Sequence, residues 1–292
     1  MAAAGLALLT GACARAPSGG PRVAVSIFPL YDIARRIGGD RLAVDLMLPP
    51  GMFDHEFEPR PKDYAHIADA RLVVLVGLDL DHWGRKLAAG ASEATIVELA
   101  PRLDPLTIPP GVVTLRAAHE EEPGSKDPHF WLDPVRMQEA CGLLVQEFSR
   151  LDPEGARGFR TRAADVKYSI ARVHTDIDRR TRRFSRHAIV TFHGSWLYFA
   201  DRYGLTIAAV VEASPGREPT PAYVRDVLIA AKTAGASALF SEPQLSRRAA
   251  ELISQEAGLP LFELDALGGT AGRDSYEALL RYDADVLEAA LR

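Results

Sequence analysis

Cysteine is almost absent from this chain, with two residues among 292. Cys13 belongs to the N-terminal segment, so Cys141 is the only cysteine in the remainder of the sequence. A Cys-x-x-Cys pair and a disulfide framework are therefore excluded. Cys141 falls on a predicted helix, where it is expected to be a small buried apolar side chain.

Runs of one charge are missing as well. Lys and Arg number 34 against 39 Asp and Glu, a formal net charge of −5, and there is no basic run or arginine–aromatic patch. Nucleic acid is therefore not an expected partner. Apolar residues make up 47% of the chain, enough for one large core or two domains of ordinary size, so the protein is globular.

Residues 1–21 are predicted to be a leader and linker. Met1–Ala12 is small and apolar and too short to span a bilayer, and a linker rich in Pro, Gly and Ser follows Cys13. The run Leu-Thr-Gly-Ala-Cys at 9–13 resembles a bacterial lipoprotein cleavage site, which implies lipidation of Cys13 and a periplasmic or cell-surface protein. No Lys or Arg precedes the apolar run, so an ordinary cleaved signal peptide or a disordered tail remains the alternative.

Residues 22–152 alternate strand patterns with helical ones, which predicts a β/α lobe with a mostly parallel sheet. Strands are predicted at Val23–Phe28, Leu42–Leu48, Leu72–Val76 and Thr95–Leu99, and helices near Leu30–Ile37, Pro61–Ala70, Asp81–Ala89 and Pro134–Leu151.

Residues 153–185 are predicted to form one long connecting helix. Apolar residues recur there at alternating steps of four and three, at Phe159, Ala163, Val166, Ile170, Val173 and Ile177. A coiled coil would show a similar stripe. Its position between two β/α halves favours a strut, spanning Pro153–Phe184, that packs along both.

Residues 186–292 repeat the β/α pattern without a residue-level repeat. Strands are predicted at His187–Thr191, Leu205–Val211, Ala238–Ser241 and Leu261–Leu264, and helices near Ser195–Tyr203, Pro221–Ala234, Ser246–Ala257 and Ser275–Leu291. The expected fold class is α/β, with two lobes joined by one long helix and a cleft between them.

His129 lies in a stiff stretch, Asp127-Pro128-His129-Phe130-Trp131-Leu132-Asp133-Pro134. Pro128 fixes its own φ and makes Asp127 extended, and Asp133-Pro134 is typical of an N-cap followed by proline in the first turn of a helix. By itself His129 could be a packed loop histidine. Other polar residues favour a ligand.

Three further polar residues, His55, His193 and Asp265, follow predicted strands. His129 ends the long loop after the fourth strand. Since open α/β sheets bind ligands beyond the carboxyl ends of their strands, all four side chains are expected to meet between the lobes. Three imidazoles and one carboxylate form a complete set for a divalent metal.

Four segments resemble the zinc/manganese class of solute-binding proteins of bacterial ABC importers. The matching segments, in the family's order, are His55-Glu56-Phe57-Glu58-Pro59-Arg60-Pro61-Lys62-Asp63, Asp127–Pro134, Thr191–Trp196, and Phe240-Ser241-Glu242-Pro243-Gln244 with the later Asp265. The resemblance implies two β/α lobes joined by a backbone helix and a metal held by His55, His129, His193 and Asp265. It also implies an ABC permease as partner and no catalysis, and we expect a monomer.

Zinc is the predicted cargo and manganese the alternative, because three imidazoles and one carboxylate suit tetrahedral zinc. Manganese-dedicated members of the family tend to carry a carboxylate at the position of His193. The histidine-rich loop of many zinc members is missing, and Leu115–Lys126 contains only His119 beside Glu120–Glu122. This loop is interpreted as a solvated acidic loop.

The remaining polar candidates are given other roles. Glu242 is expected to fix the cleft by hydrogen bonds, Glu212 to order a turn, and Asp54 and Glu56 to be exposed. The histidines at 66, 82, 174 and 187 have no partners at ligand spacing and are interpreted as structural.

Two other functions use the same residues. A zinc-dependent hydrolase or lyase would keep one metal position open for water, whereas four protein ligands close it. The chain also lacks His-Glu-x-x-His, Gly-x-Ser-x-Gly and Pro-Cys-x-x-Cys. A surface adhesin that uses the metal only structurally is the other alternative.

Overall fold

Each half of the chain builds one four-stranded parallel sheet in the computed structural model, which describes residues 20–109, 124–211 and 220–292. The first sheet has the order β2-β1-β3-β4 and the second the order β6-β5-β7-β8, so the two halves share one topology. The strands are β1 Arg22–Val25, β2 Ala43–Leu46, β3 Ala70–Leu75, β4 Thr95–Glu98, β5 Ala188–Thr191, β6 Thr206–Val210, β7 Leu239–Ser241 and β8 Leu261–Glu263.

Helices cover both sheets, as apolar parallel strands require. The first half contains α1 Phe28–Gly38, α2 Pro61–Ile67, α3 His82–Ala88 and α4 Pro134–Leu151. The connecting helix is α5 Ala156–Thr181, and the second half contains α6 Leu197–Tyr203, α7 Pro221–Thr233, α8 Arg247–Ala257 and α9 Tyr276–Leu291. The predicted class, two β/α lobes joined by a long helix, is confirmed.

Helix α5 is the strut between the lobes. All six residues of its predicted apolar stripe are buried, and it packs on α1 and α4 of the first lobe and on α6 and α9 of the second. The helix is shorter than predicted. It is preceded by a 3₁₀ turn over Pro153–Gly155, where the Asp152 carboxylate accepts from the Gly155 N–H, and it ends at Thr181, three residues before Phe184.

At two positions the structure has a different type of element from the one predicted. Phe28 begins α1 instead of ending β1, because Pro29 in the first helical turn has a fixed φ that favours a helix start. Ala70 begins β3 instead of ending α2, and the apolar run after it forms an inner strand between β1 and β4. Buried inner strands of parallel sheets read as continuous apolar runs.

Contacts between the lobes are extensive. One apolar cluster runs from Val23 to Leu291, so the lobe boundaries predicted at 152 and 185 stay predictions. Arg36 on α1 donates to both oxygens of Glu277 on α9, at 2.8 and 3.0 Å, and to the Ser169 hydroxyl on α5 at 2.9 Å. This ion pair ties three helices together.

Cys141 is buried on α4 and reduced, as predicted, and burial raises the pKa of its thiol to about 12. Within the described ranges no helix combines the length and apolar character needed to cross a bilayer.

Candidate metal centre

Three histidines from separate loops converge between the lobes. His55 lies in the segment between β2 and α2, and His193 lies two residues after the end of β5. His129 precedes the 3₁₀ turn Phe130–Leu132, which leads into α4. Their exposed fractions are 8%, 2% and 1%, so each imidazole has been removed almost fully from water. Buried polar rings require polar partners.

The ring nitrogens face one another. The Nε2 atom of His55 lies 3.4 Å from Nε2 of His129 and 3.3 Å from Nε2 of His193. A tetrahedral zinc with Zn–N bonds of about 2.0–2.1 Å holds its nitrogens roughly 3.3–3.4 Å apart. Among the residues the structure describes, these three histidines are the group whose donor atoms could share one metal ion.

Asp127 orients His129. Its Oδ1 atom lies 2.8 Å from Nδ1 of His129 and accepts the backbone N–H of the same residue at 2.8 Å. Because the carboxylate occupies Nδ1, the ring presents Nε2 to the other two histidines. A carboxylate on the far nitrogen is the usual second partner of a metal-binding histidine, since it fixes the ring and raises its basicity.

Burial and neighbouring charges give the rings different proton affinities. Burial and the nearby His55 and His129 hold the pKa of His193 well below its ordinary value, which favours the neutral imidazole. Burial also disfavours charged His129, but the charge and hydrogen bond of Asp127 outweigh it, and the pKa of His129 is raised. Neutral imidazole is the form that binds metal.

An aromatic side chain packs the histidines in place. The Phe53 ring stacks on His55 at a centroid distance of 5.3 Å and meets His193 edge-on at 5.4 Å. Trp83 Nε1 donates to the Asp54 carbonyl at 2.6 Å, which fixes the His55 loop to α3. Held in this way, the rings keep one orientation.

Asp265 is fully buried but is not a member of the group formed by the three histidines. Its Oδ1 atom accepts from the backbone N–H groups of Leu267 and Gly268 and from Gln244 Nε2, each at 3.0 Å. Its Oδ2 atom lies 3.1 Å from Nη1 of Arg273. The fourth ligand therefore stays a prediction.

Asp283 on α9 supports the Asp265 loop from below. Its Oδ1 atom accepts the Asp265 N–H at 2.9 Å, and the residue is fully buried. Burial raises the pKa of Asp283 well above its ordinary value, and the neighbouring charge of Asp265 acts in the same direction.

Glu242 takes the role predicted for it, because its Oε1 accepts from Ser195 Oγ at 2.7 Å and from Trp196 Nε1 at 3.1 Å. Burial raises its pKa to about 7. Glu56 is exposed as expected, but the expectation for Asp54 was wrong: only 3% of it is exposed, because the loop folds under Trp83.

The other described histidines lie outside the group. His174 Nδ1 lies 3.0 Å from the Tyr203 hydroxyl, and the described His66, His82 and His187 are exposed. Cys13, Glu212 and the acidic loop His119–Glu122 lie outside the described residues.

Sequence reasoning missed two functional contacts. It treated Asp127 as a backbone element, although a carboxylate two residues before a candidate ligand is itself a signal for an orienting partner. It did not find Arg273, which lies eight residues after Asp265 across a glycine-rich loop.

Comparison with known proteins supplies the family. Residues 23–290 match the profile of the family described as "Zinc-uptake complex component A periplasmic". The chain belongs to this family. The resemblance drawn from the sequence is confirmed. The family consists of solute-binding proteins, so the hydrolase or lyase alternative is not supported.

Relatives match over most of the chain. It is 24% identical over 300 residues to "Manganese-binding lipoprotein MntA" of Halalkalibacterium halodurans, covering 98% of this chain and 95% of the relative. It is 25% identical to "High-affinity zinc uptake system protein ZnuA" of Bacillus subtilis, covering 97% and 94%. A solved structure titled "Crystal structure of ZnuA" superimposes with a TM-score of 0.81 at 25% identity and covers 94% of this chain and 100% of that one.

Proposed function

We propose that the protein binds a divalent transition metal outside the cytoplasm and delivers it to the permease of an ABC importer. The observation that carries the proposal is the set of three buried imidazole nitrogens separated by 3.3 and 3.4 Å. A proton on one of these nitrogens can bridge only one pair at a time, whereas one metal cation can accept a lone pair from all three. Family membership supports delivery to an importer.

Zinc is the proposed cargo. The nitrogen separations agree with a tetrahedral zinc site, and imidazole is a borderline ligand that suits zinc better than manganese. The relatives do not settle the choice, because one is named for manganese and another for zinc. Asp265 is proposed as the fourth ligand, which would complete a His₃Asp cage.

Metal stoichiometry tests the site. Alanine at His55, His129 or His193 should each lower zinc affinity sharply while leaving the circular dichroism of the metal-free protein intact. His82→Ala is the matched control, because that imidazole is exposed and lies outside the group. Unchanged zinc stoichiometry in all three site variants would remove the proposal.

Metal identity is tested in cells. Intrinsic affinity favours zinc over manganese in almost any site of this kind, so the decisive measurement is the ion recovered from cells supplied with both. We expect zinc in the wild type and a shift toward manganese in His193→Glu, which exchanges a nitrogen for oxygen. Recovery of mainly manganese in the wild type would assign the other cargo.

Lipidation of Cys13 is proposed as the anchor. The sequence at 9–13 supports it, and several curated relatives are named as lipoproteins. Mass spectrometry of the membrane fraction should find the mass of the acyl chains on Cys13. Residues 14–21 would then be the linker between the lipid anchor and the folded part of the protein. A mature form that begins elsewhere would contradict the anchor without touching the metal site.

A further inference from the structure

The two oxygens of Asp265 have unequal surroundings. Oδ1 receives three donors, two backbone N–H groups and the Gln244 amide, each at 3.0 Å. Oδ2 is buried and makes an ion pair with Arg273 Nη1 at 3.1 Å, without hydrogen-bond geometry. Oδ1 already accepts three hydrogen bonds whereas Oδ2 accepts none, so Oδ2 is the oxygen more readily available to a metal.

The Arg273 guanidinium has contacts other than the one with Asp265. Its guanidinium lies over the Tyr282 ring at 4.5 Å, and Nη1 is 3.7 Å from the Glu263 carboxylate. Its backbone carbonyl accepts the Gly269 N–H at 2.8 Å, which ties the main chain at Arg273 to the loop that carries Asp265. Glu263 and Tyr282 thus form an alternative binding position for the Arg273 guanidinium.

We propose that Arg273 competes with the metal for Oδ2 of Asp265 and so lowers the affinity of the site and speeds release. This rests on the proposed function. An arginine is charged at every working pH, and a cation on Oδ2 opposes a divalent ion on the same oxygen. Metal binding moves the guanidinium toward Glu263, and its return helps to detach the carboxylate from the ion.

Two substitutions should act in opposite directions. Arg273→Gln removes the competitor, so zinc should bind more tightly, by roughly tenfold on the scale of outer-shell changes, and dissociate more slowly. Glu263→Gln removes the negative charge that attracts the guanidinium to its alternative position, so zinc should bind more weakly. Arg273→Lys keeps the charge and should behave like the wild type.

The measurements are zinc affinity by chelator competition and zinc release by rapid mixing with excess chelator. Arg281→Gln is the matched control, because it removes one exposed positive charge from α9. Repeating Arg273→Gln in an Asp265→Asn background should abolish its effect on zinc. Thermal unfolding of each metal-free variant shows whether its fold is kept.

Weaker or unchanged zinc binding in a folded Arg273→Gln variant would overturn the competition, as would an effect that persists in the Asp265→Asn background. A wild-type protein that binds no zinc and no manganese would refute the proposed function instead. The two failures are therefore distinct.

Discussion

Replacing Arg36 by methionine should destabilise the protein strongly, because this guanidinium compensates carboxylates from both lobes. It donates to Glu277 at 2.8 and 3.0 Å and to Asp32 at 3.2 Å, and the exposed side-chain fractions are 27% for Arg36, 9% for Glu277 and 1% for Asp32. Methionine keeps the apolar stem. The charge, however, is lost.

Breaking a buried ion pair by removing one partner costs about 3–5 kcal/mol. Arg36 retains some exposure, so we expect the loss to be about 2–4 kcal/mol of unfolding free energy. Glu277→Gln should cost less, since its amide oxygen can still accept from Ser169. The double variant should lose less than the sum of the single losses, by roughly 1–3 kcal/mol.

Denaturant unfolding of the wild type, the two single variants and the double variant measures this coupling.

Burial raises the pKa of Glu277, but the hydrogen bonds from Arg36 and Ser169 outweigh it and the net pKa is lowered from 4.5. A lowered folded-state pKa means that the stabilisation is present above pH 4.5 and declines as the pH falls through the folded value. Additive losses at pH 7, within about 0.5 kcal/mol, would refute the reasoning.

Three further outcomes are expected. Asp127→Asn should weaken zinc binding about 10- to 100-fold with little effect on the fold, because His129 loses the carboxylate that orients it; unaltered affinity in chelator competition would argue against that role. Trp131→Phe should cost roughly 1–3 kcal/mol in denaturant unfolding, since the Ala266 carbonyl loses a buried donor; an equal loss in the exposed Tyr168→Phe would make the effect non-specific. Apo and metal-bound X-ray scattering profiles should nearly overlay, because α5 packs on both lobes; marked compaction with metal would contradict a rigid frame.

Periodicity and strand order were sufficient for the architecture and for the histidines. The stripe from Phe159 to Ile177 repeats at helical spacing, and all of it is buried on α5. His55 and His193 follow β2 and β5, one strand from each sheet, and their Nε2 atoms lie 3.3 Å apart. The convergence of imidazoles from distant segments follows from the rule that open parallel sheets bind ligands at those ends.

Loop paths were beyond sequence reasoning. Arg273 reaches Asp265 because the loop turns through glycines at 268, 269 and 272, all with positive φ. Nothing in the order of residues fixes which way such a loop folds back. Asp54 was misjudged for the same reason, since its burial depends on the Trp83 hydrogen bond from another element.

The rigid frame determines where metal affinity can be adjusted. The lobes are joined by a shared apolar cluster, by α5 and by the Arg36–Glu277 pair, so we expect metal binding to occur without wide closure of the lobes. Phe53 packs against His55 and His193, and Asp127 orients His129, which leaves the three rings little freedom. On the proposed mechanism, metal affinity is adjusted by a side chain that exchanges partners, and Arg273 lies within 3.1 Å of Asp265 and 3.7 Å of Glu263.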